Sequence, residues 1–116
     1  GLDARGFLFG PALALHFGAA FVPIRKAGKL PGDVIQVSST KEYGQDVLQM
    51  QKNALKPGAR VLIVDDLLAT GGTARSAITL AKEAGAEPVG ALFVFTIDVL
   101  SPMSALDIPS ETLFRV

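Results

Sequence analysis

Cysteine is absent from all 116 residues, and so is tryptophan. Disulfides and thiolate metal sites are therefore excluded. One histidine, His16, cannot build a histidine-rich metal centre. An excess of one charge is also missing: eleven Lys and Arg balance eleven Asp and Glu, so no global field argues for nucleic acid or an anionic membrane. No apolar run approaches the roughly 18 residues of a membrane span. The opening residues, Gly1-Leu2-Asp3-Ala4-Arg5, have no apolar signal core. The expectation is a soluble cytoplasmic protein with no nucleic-acid or membrane partner. The apolar fraction of 49% is enough for a core, and the length suits a single domain over residues 1–116. There is no initiator Met and the chain opens in loop-like residues, which predicts a fragment.

The densest run of information is Val61 to Thr73, VLIVDDLLATGGT. Four apolar β-formers lead into the acids Asp65 and Asp66. A short loop ends in Thr70, Gly71, Gly72 and Thr73, and Ala74 to Ala84 follows at helical spacing. This reads as strand, acidic tip, small-residue loop, helix. In an open parallel α/β sheet, ligands bind beyond the carboxyl ends of the strands, where such a loop sits. The N–H groups of a helix start suit phosphate, and an acid pair suits a sugar diol or a hydrated divalent cation. An acid that merely caps the helix explains one carboxylate, not two followed by five small or hydroxyl residues. A Walker A loop fails because no lysine follows Gly72, and G-x-G-x-x-G is absent. A receiver domain fails because its acid pair belongs on the first strand with a later lysine, and none follows Lys82.

Periodicity supplies the surroundings. A helix is expected from about Phe7 to Phe17, regular from Gly10 with Pro11 in its first turn, burying Leu8, Ala12, Leu15 and Phe7, and stopped by Gly18. Ala20 to Arg25 reads as a short strand and 26–33 as a mobile loop. Val34 to Ser38 and Val47 to Met50 predict a β-ribbon turning near Gly44. Pro57-Gly58 is a turn. Ala77, Ile78, Ala81 and Ala84 form the buried stripe of the later helix, which Gly85 ends. Val89 to Ile97, nearly all apolar, predicts a parallel strand covered on both faces. Pro102 to Leu106 suggests a helical turn and Thr112 to Val116 a last strand. The alternation of strands and helices predicts an α/β parallel sheet.

The thirteen positions from Val61 to Thr73 match the signature of the phosphoribosyltransferases. GLDARGFLFGPALA at 1–14, RKAGKLPG at 25–32, EYG at 42–44, QKNALKPG at 51–58 and VDDLLATGGT at 64–73 together resemble the adenine phosphoribosyltransferases. The resemblance covers most of residues 1–73 and weakens beyond. It implies the type I fold: a Rossmann-like parallel sheet with a flexible β-hairpin, here lacking the first core strand and the base-reading hood. It also implies purine salvage, with adenine and phosphoribosyl diphosphate giving AMP and diphosphate. Two other readings share the motif: transfer to another base, and a non-catalytic phosphoribosyl-diphosphate sensor in a regulator.

By that resemblance, Ala69, Thr70, Gly71, Gly72 and Thr73 wrap the 5′-phosphate, and Asp65 and Asp66 hold the ribose hydroxyls. Mg²⁺ is expected, bound mainly through the substrate diphosphate and without dedicated protein ligands. Arg5 leads the cations for diphosphate, with Arg25, Lys26 and Lys29 behind it. The Asp3–Ala4 peptide is implied to be cis, turning donors toward the same group. Glu42 and Tyr43 lie on the closing hairpin, with Glu42 as the carboxylate that handles a proton or faces the sugar cation. Leu67 and Leu68 either pack beside the purine or close the core. His16 is expected at the surface. A homodimer is implied, with the site completed across subunits.

Overall fold

Val, Ile and Leu fill most of Arg60–Leu68, and side chains of this kind suit a pleated, half-buried surface. The computed structural model, which describes residues 1–41, 44–100 and 106–116, makes this run strand β4. β4 pairs in parallel with β5 (Glu87–Thr96), and β5 pairs in parallel with β6 (Ser110–Arg115). Parallel neighbours need a crossover, and helix α2 (Gly72–Glu83) supplies it. The expected parallel α/β sheet is thus present.

α2 packs against β4 and β5 and also against strands of a second sheet. That sheet has the order β1-β3-β2, formed by Arg25–Lys26, Gly44–Gln51 and Val34–Lys41, all antiparallel. Contact on two sides widens the buried stripe of α2. Ala74, Ser76 and Leu80 are buried along with the expected Ala77, Ile78 and Ala81. One core cluster runs from Leu2 and Ile24 through Met50 and Ile63 to Leu80 and Phe93. The β-ribbon is longer than its alternation suggested. Glu42 and Tyr43 lie outside the described residues.

Helix α1 (Gly10–Phe17) has Pro11 in its first turn, follows a 3₁₀ turn at Arg5–Leu8, and ends at left-handed Gly18, as expected. Its predicted buried face is wrong. Leu8 is 72% and Leu15 84% exposed, and Ala12 is exposed too. The segment GPALALHF is apolar nearly all round, so spacing could not single out a face. The helix docks instead through buried Gly10, where an added Cβ would stand 2.6 Å from the Phe21 ring. His16 is exposed, edge-on to Phe17 at 5.0 Å.

The strand expected over Ala20 to Arg25 is also corrected. Only Arg25–Lys26 joins a ladder, and Ile24 makes an isolated parallel bridge to Leu2. Gly1 to Asp3 run beside this segment, Ile24 N–H donating to Gly1 O and Asp3 N–H to Ile24 O. Those residues also reach the other way, Leu2 N–H donating to Val64 O at 3.1 Å. β4 continues through Asp65 and Asp66 to Leu68, so the acids are strand residues and not a loop tip. Leu68 pairs with Thr96 and is 2% exposed, which makes it a core residue. β5 is not covered throughout: Phe95 is 43% exposed and stacks on Phe114 of edge strand β6, since one crossover helix shields mainly one face. A 3₁₀ turn forms at Asp98–Leu100; the helical turn expected over Pro102 to Leu106 falls on residues 101–105, which lie outside the described residues. Among the described residues no helix is long and apolar enough to cross a membrane.

Candidate active site

Residues 1–3 thread between two neighbours. Ile24 N–H donates to Gly1 O at 2.9 Å, Asp3 N–H to Ile24 O at 2.9 Å, and Leu2 N–H to Val64 O at 3.1 Å. The turn that follows Asp3 therefore emerges beside the acidic end of β4. Gly6 lets it lie close. A Cβ at Gly6 would stand 2.9 Å from the backbone oxygen of Val64, nearer than packing tolerates, and a tight 3.1 Å from Asp65 Oδ1. The approach brings Arg5 Nε to 2.9 Å from Asp66 Oδ2. The Asp3–Ala4 peptide within this turn is cis, as the resemblance implied.

Asp65 is the electrostatically unusual member of the acid pair. Its Oδ1 accepts the Asp66 N–H at 2.8 Å. Burial pushes its carboxyl up to about 7, and the neighbouring Asp66 carboxylate adds to the rise; the Asp66 N–H and Arg5 pull against it. Asp66, its side chain 21% exposed, already faces a cation.

Past Leu68 the chain turns through Ala69 and Thr70 into α2. Gly71, at φ 88, takes the N-cap position with no side-chain cap. The helix opens with Arg75 N–H donating to Gly71 O at 2.9 Å. The N–H groups of Gly72, Thr73 and Ala74 come before any intrahelical acceptor. Arg75 Nη1 donates to Thr70 O at 3.2 Å and braces the loop. A cradle of aimed donors at the positive end of a helix dipole is suited to a phosphate.

These parts meet at one cavity of about 390 Å³. Its wall unites Asp3, Ala4, Arg5 and Lys26 with the whole run from Asp65 to Thr73, Leu67 included. Arg25 and Lys29 are not on the wall; both turn to Asp3. A larger cleft of about 920 Å³ lies between α1 and the amino half of β4, but no carboxylate lines it and it lacks the phosphate loop. Among the described residues no three metal-ligating side chains cluster. Asp65 and Asp66 fit a Mg²⁺ ion that keeps most of its ligands from water and substrate, since two adjacent carboxylates are hard oxygen donors facing an open cavity.

Several residues of the site, Ala74 at the start of α2 among them, were not anticipated from the sequence. Asp46 and Leu48 of β3 reach the cavity. Their i, i+2 spacing puts them on one face of the ribbon, which was the available signal. Gly6 and Arg75 act on the backbone of the site, and nothing in their sequence neighbourhood points to contacts across the fold.

A phosphoribosyl transferase domain matches residues 1–105. The adenine phosphoribosyltransferase of Debaryomyces hansenii is 57% identical over 113 residues, 97% of this chain and 61% of that protein. The Saccharomyces cerevisiae adenine phosphoribosyltransferase, solved with D-2,5-dideoxy-2,5-imino-altritol 1,6-bisphosphate and adenine, has a TM-score of 0.93 at 50% identity, over 97% of this chain and 64% of that one. The Trypanosoma brucei enzyme, solved with AMP, pyrophosphate and ribose-5-phosphate, has a TM-score of 0.88 at 30% identity, over 98% of this chain and 54% of that one. The chain spans 61% of the length of the first curated relatives it matches. Matched over nearly all its residues and folded as its relatives are, the chain belongs to the phosphoribosyltransferase family.

Proposed function

We propose that the chain binds phosphoribosyl diphosphate and serves a transferase that joins its phosphoribosyl group to adenine, giving AMP and diphosphate. One observation carries the reading: a carboxylate pair and an uncapped helix N-terminus share the wall of one 390 Å³ cavity with Arg5 and Lys26. That volume lies within the range of small-molecule sites. The choice of adenine rests on the relatives, whose solved complexes carry adenine, AMP, pyrophosphate and ribose-5-phosphate.

In this reading the residues divide the substrate. The loop Ala69 to Thr73 and the start of α2 take the 5′-phosphate through backbone N–H groups and the two threonine hydroxyls. Asp65 and Asp66 accept the ribose 2′- and 3′-hydroxyls. Arg5 leaves Asp66 for the diphosphate, with Lys26 and the Asp3–Ala4 turn on its other side. Mg²⁺ would sit on the diphosphate and neutralise its charge. A ring nitrogen of the base attacks C1′ as the C1′–oxygen bond to diphosphate breaks, and the proton on that nitrogen passes to Glu42 or to the departing diphosphate; no protein nucleophile is needed, and the reactants are held in line while the departing charge is stabilised. Glu42 and Tyr43 are assigned to the closing hairpin, Glu42 facing the developing sugar cation. The homodimer is carried over from the resemblance of the sequence blocks, and the cytoplasmic location is proposed on the lack of an apolar membrane span in the sequence. A single phosphoribosyltransferase domain over 1–116 is part of the same proposal.

The test offers the purified chain phosphoribosyl diphosphate and Mg²⁺ with adenine, hypoxanthine, xanthine or a pyrimidine in turn, while calorimetry reads binding of the diphosphate substrate. AMP from adenine is the expected product. Turnover of another base and not adenine would move the assignment to that base. Binding with no turnover of any base would favour the sensor reading. Failure to bind phosphoribosyl diphosphate at all would defeat the proposal.

A further inference from the structure

Three cations lie close together after Ile24, namely Arg25, Lys26 and Lys29, and the simplest expectation aims all three at diphosphate. Their placement is unequal. Arg25 and Lys26 are neighbours on β1, so their side chains leave it on opposite sides. Lys26 reaches the cavity. Arg25 Nε and Lys29 Nζ instead converge on one oxygen, Asp3 Oδ2, at 3.2 and 3.4 Å. The Lys26 N–H approaches the same oxygen at 3.4 Å. The Asp3 side chain is only 2% exposed. Arg25 is held from a second side, its guanidinium carbon 5.6 Å from the centre of the Phe7 ring. Phe7 in turn meets Phe21 edge-on at 5.8 Å.

We propose that Asp3 is a positioning residue and not a substrate ligand: its buried carboxylate ties the 3–8 turn, β1 and the following loop together, so that the Lys26 ammonium is presented to the diphosphate of the ligand. The inference rests on the phosphoribosyl-diphosphate reading above and adds the device that aims one of its cations. Desolvation works against a charge at Asp3, yet the Lys26 N–H, Arg25 and Lys29 hold its carboxyl below the usual carboxylate range, so the anchor is ionised at neutral pH.

The sign of one substitution separates this role from its rival. A bystander carboxylate beside an anion site repels the ligand, so its removal should tighten diphosphate binding. An anchor does the reverse. In calorimetry on the chain with Mg²⁺, Asp3→Asn is expected to bind phosphoribosyl diphosphate at least about tenfold more weakly, the loss of an ionic hydrogen-bonded hub. Ribose 5-phosphate, which engages the Asp65–Thr73 side alone, should stay within about twofold, a readout that general unfolding would not spare. The loss should also add less than fully to that of Lys26→Gln in the double variant, because part of it acts through the same ammonium. Unchanged or tighter diphosphate binding, an equal loss for both ligands, or full additivity would each overturn the proposal. Failure of the unsubstituted chain to bind either ligand would instead bring down the function reading, and this inference with it.

Discussion

Gly72 separates two effects that glycine substitutions usually mix. A Cβ there would meet nothing nearer than 3.8 Å, from Arg75 Nη2 and Thr70 Oγ1. Gly72→Ala should therefore leave stability within about 0.5 kcal/mol. The same methyl would stand where the phosphate must approach the α2 N–H groups. Ribose 5-phosphate affinity by calorimetry should drop at least about tenfold, the loss of one charge-assisted hydrogen bond. Unchanged affinity would remove the phosphate from this loop. Gly71 is the poorer probe, since its φ of 88 makes any Cβ cost about 1 kcal/mol before a ligand is considered. Asp65 gives a pH test at the same scale. Burial pushes its carboxyl up to about 7 in the fold from an ordinary aspartate value of 3.8, so between about 4 and 7 the folded chain binds more protons than the unfolded one. Stability from this group therefore falls as pH rises through that window. Asp65→Asn removes the slope. Its melting temperature relative to the unsubstituted chain should climb by a few degrees from pH 4 to pH 8, allowing for solvent screening of a half-buried group. A difference that is flat with pH would show that Asp65 titrates normally.

At the scale of elements, the two helices respond oppositely to the same substitution. Leu80 of α2 is 0% exposed, between the parallel sheet and the β-ribbon. Leu80→Ala should cost about 2–5 kcal/mol in denaturant unfolding. Leu15 of α1 is 84% exposed, and Leu15→Ala should change little, within about 0.5 kcal/mol. Sequence periodicity would have ranked these the other way, because Leu15 belonged to a predicted stripe and Leu80 did not. The reason is physical. Spacing reports a buried face only when the opposite face is polar, as in α2, where Arg75, Thr79, Lys82 and Glu83 face water. α1 carries no such contrast. Strand extents show a related limit. The acids at 65 and 66 look like the end of β4, yet the parallel ladder with β5 holds the backbone extended to Leu68, and propensity alone cannot see that partner.

At the scale of the whole chain, the candidate site is a junction of distant segments. Val61 to Thr73 was legible because strand, acids, loop and helix start are contiguous there. Asp3 to Arg5 and Lys26 could be assigned only through resemblance. What seats them beside Asp66 is the pair of backbone bonds from residues 2 and 3 to Val64 and Ile24, and no local pattern encodes those bonds. Asp46 went unread for the same reason. A ligand that spans such a junction touches both sheets and α2, so it should resist global unfolding and not merely still a loop. At one hundred times its dissociation constant it should add about 2.7 kcal/mol to the folded state. That is an upward shift in melting temperature of roughly 10–20 °C for a domain near this size, as read by scanning calorimetry with phosphoribosyl diphosphate and Mg²⁺. Ribose 5-phosphate at the same concentration should give a smaller shift, because it leaves Arg5 and Lys26 without a diphosphate. Asp65→Asn combined with Asp66→Asn should weaken the ribose 5-phosphate shift, measured against the double variant's own unliganded melt. If that shift survives the double substitution undiminished, the sugar diol does not lie on the acid pair.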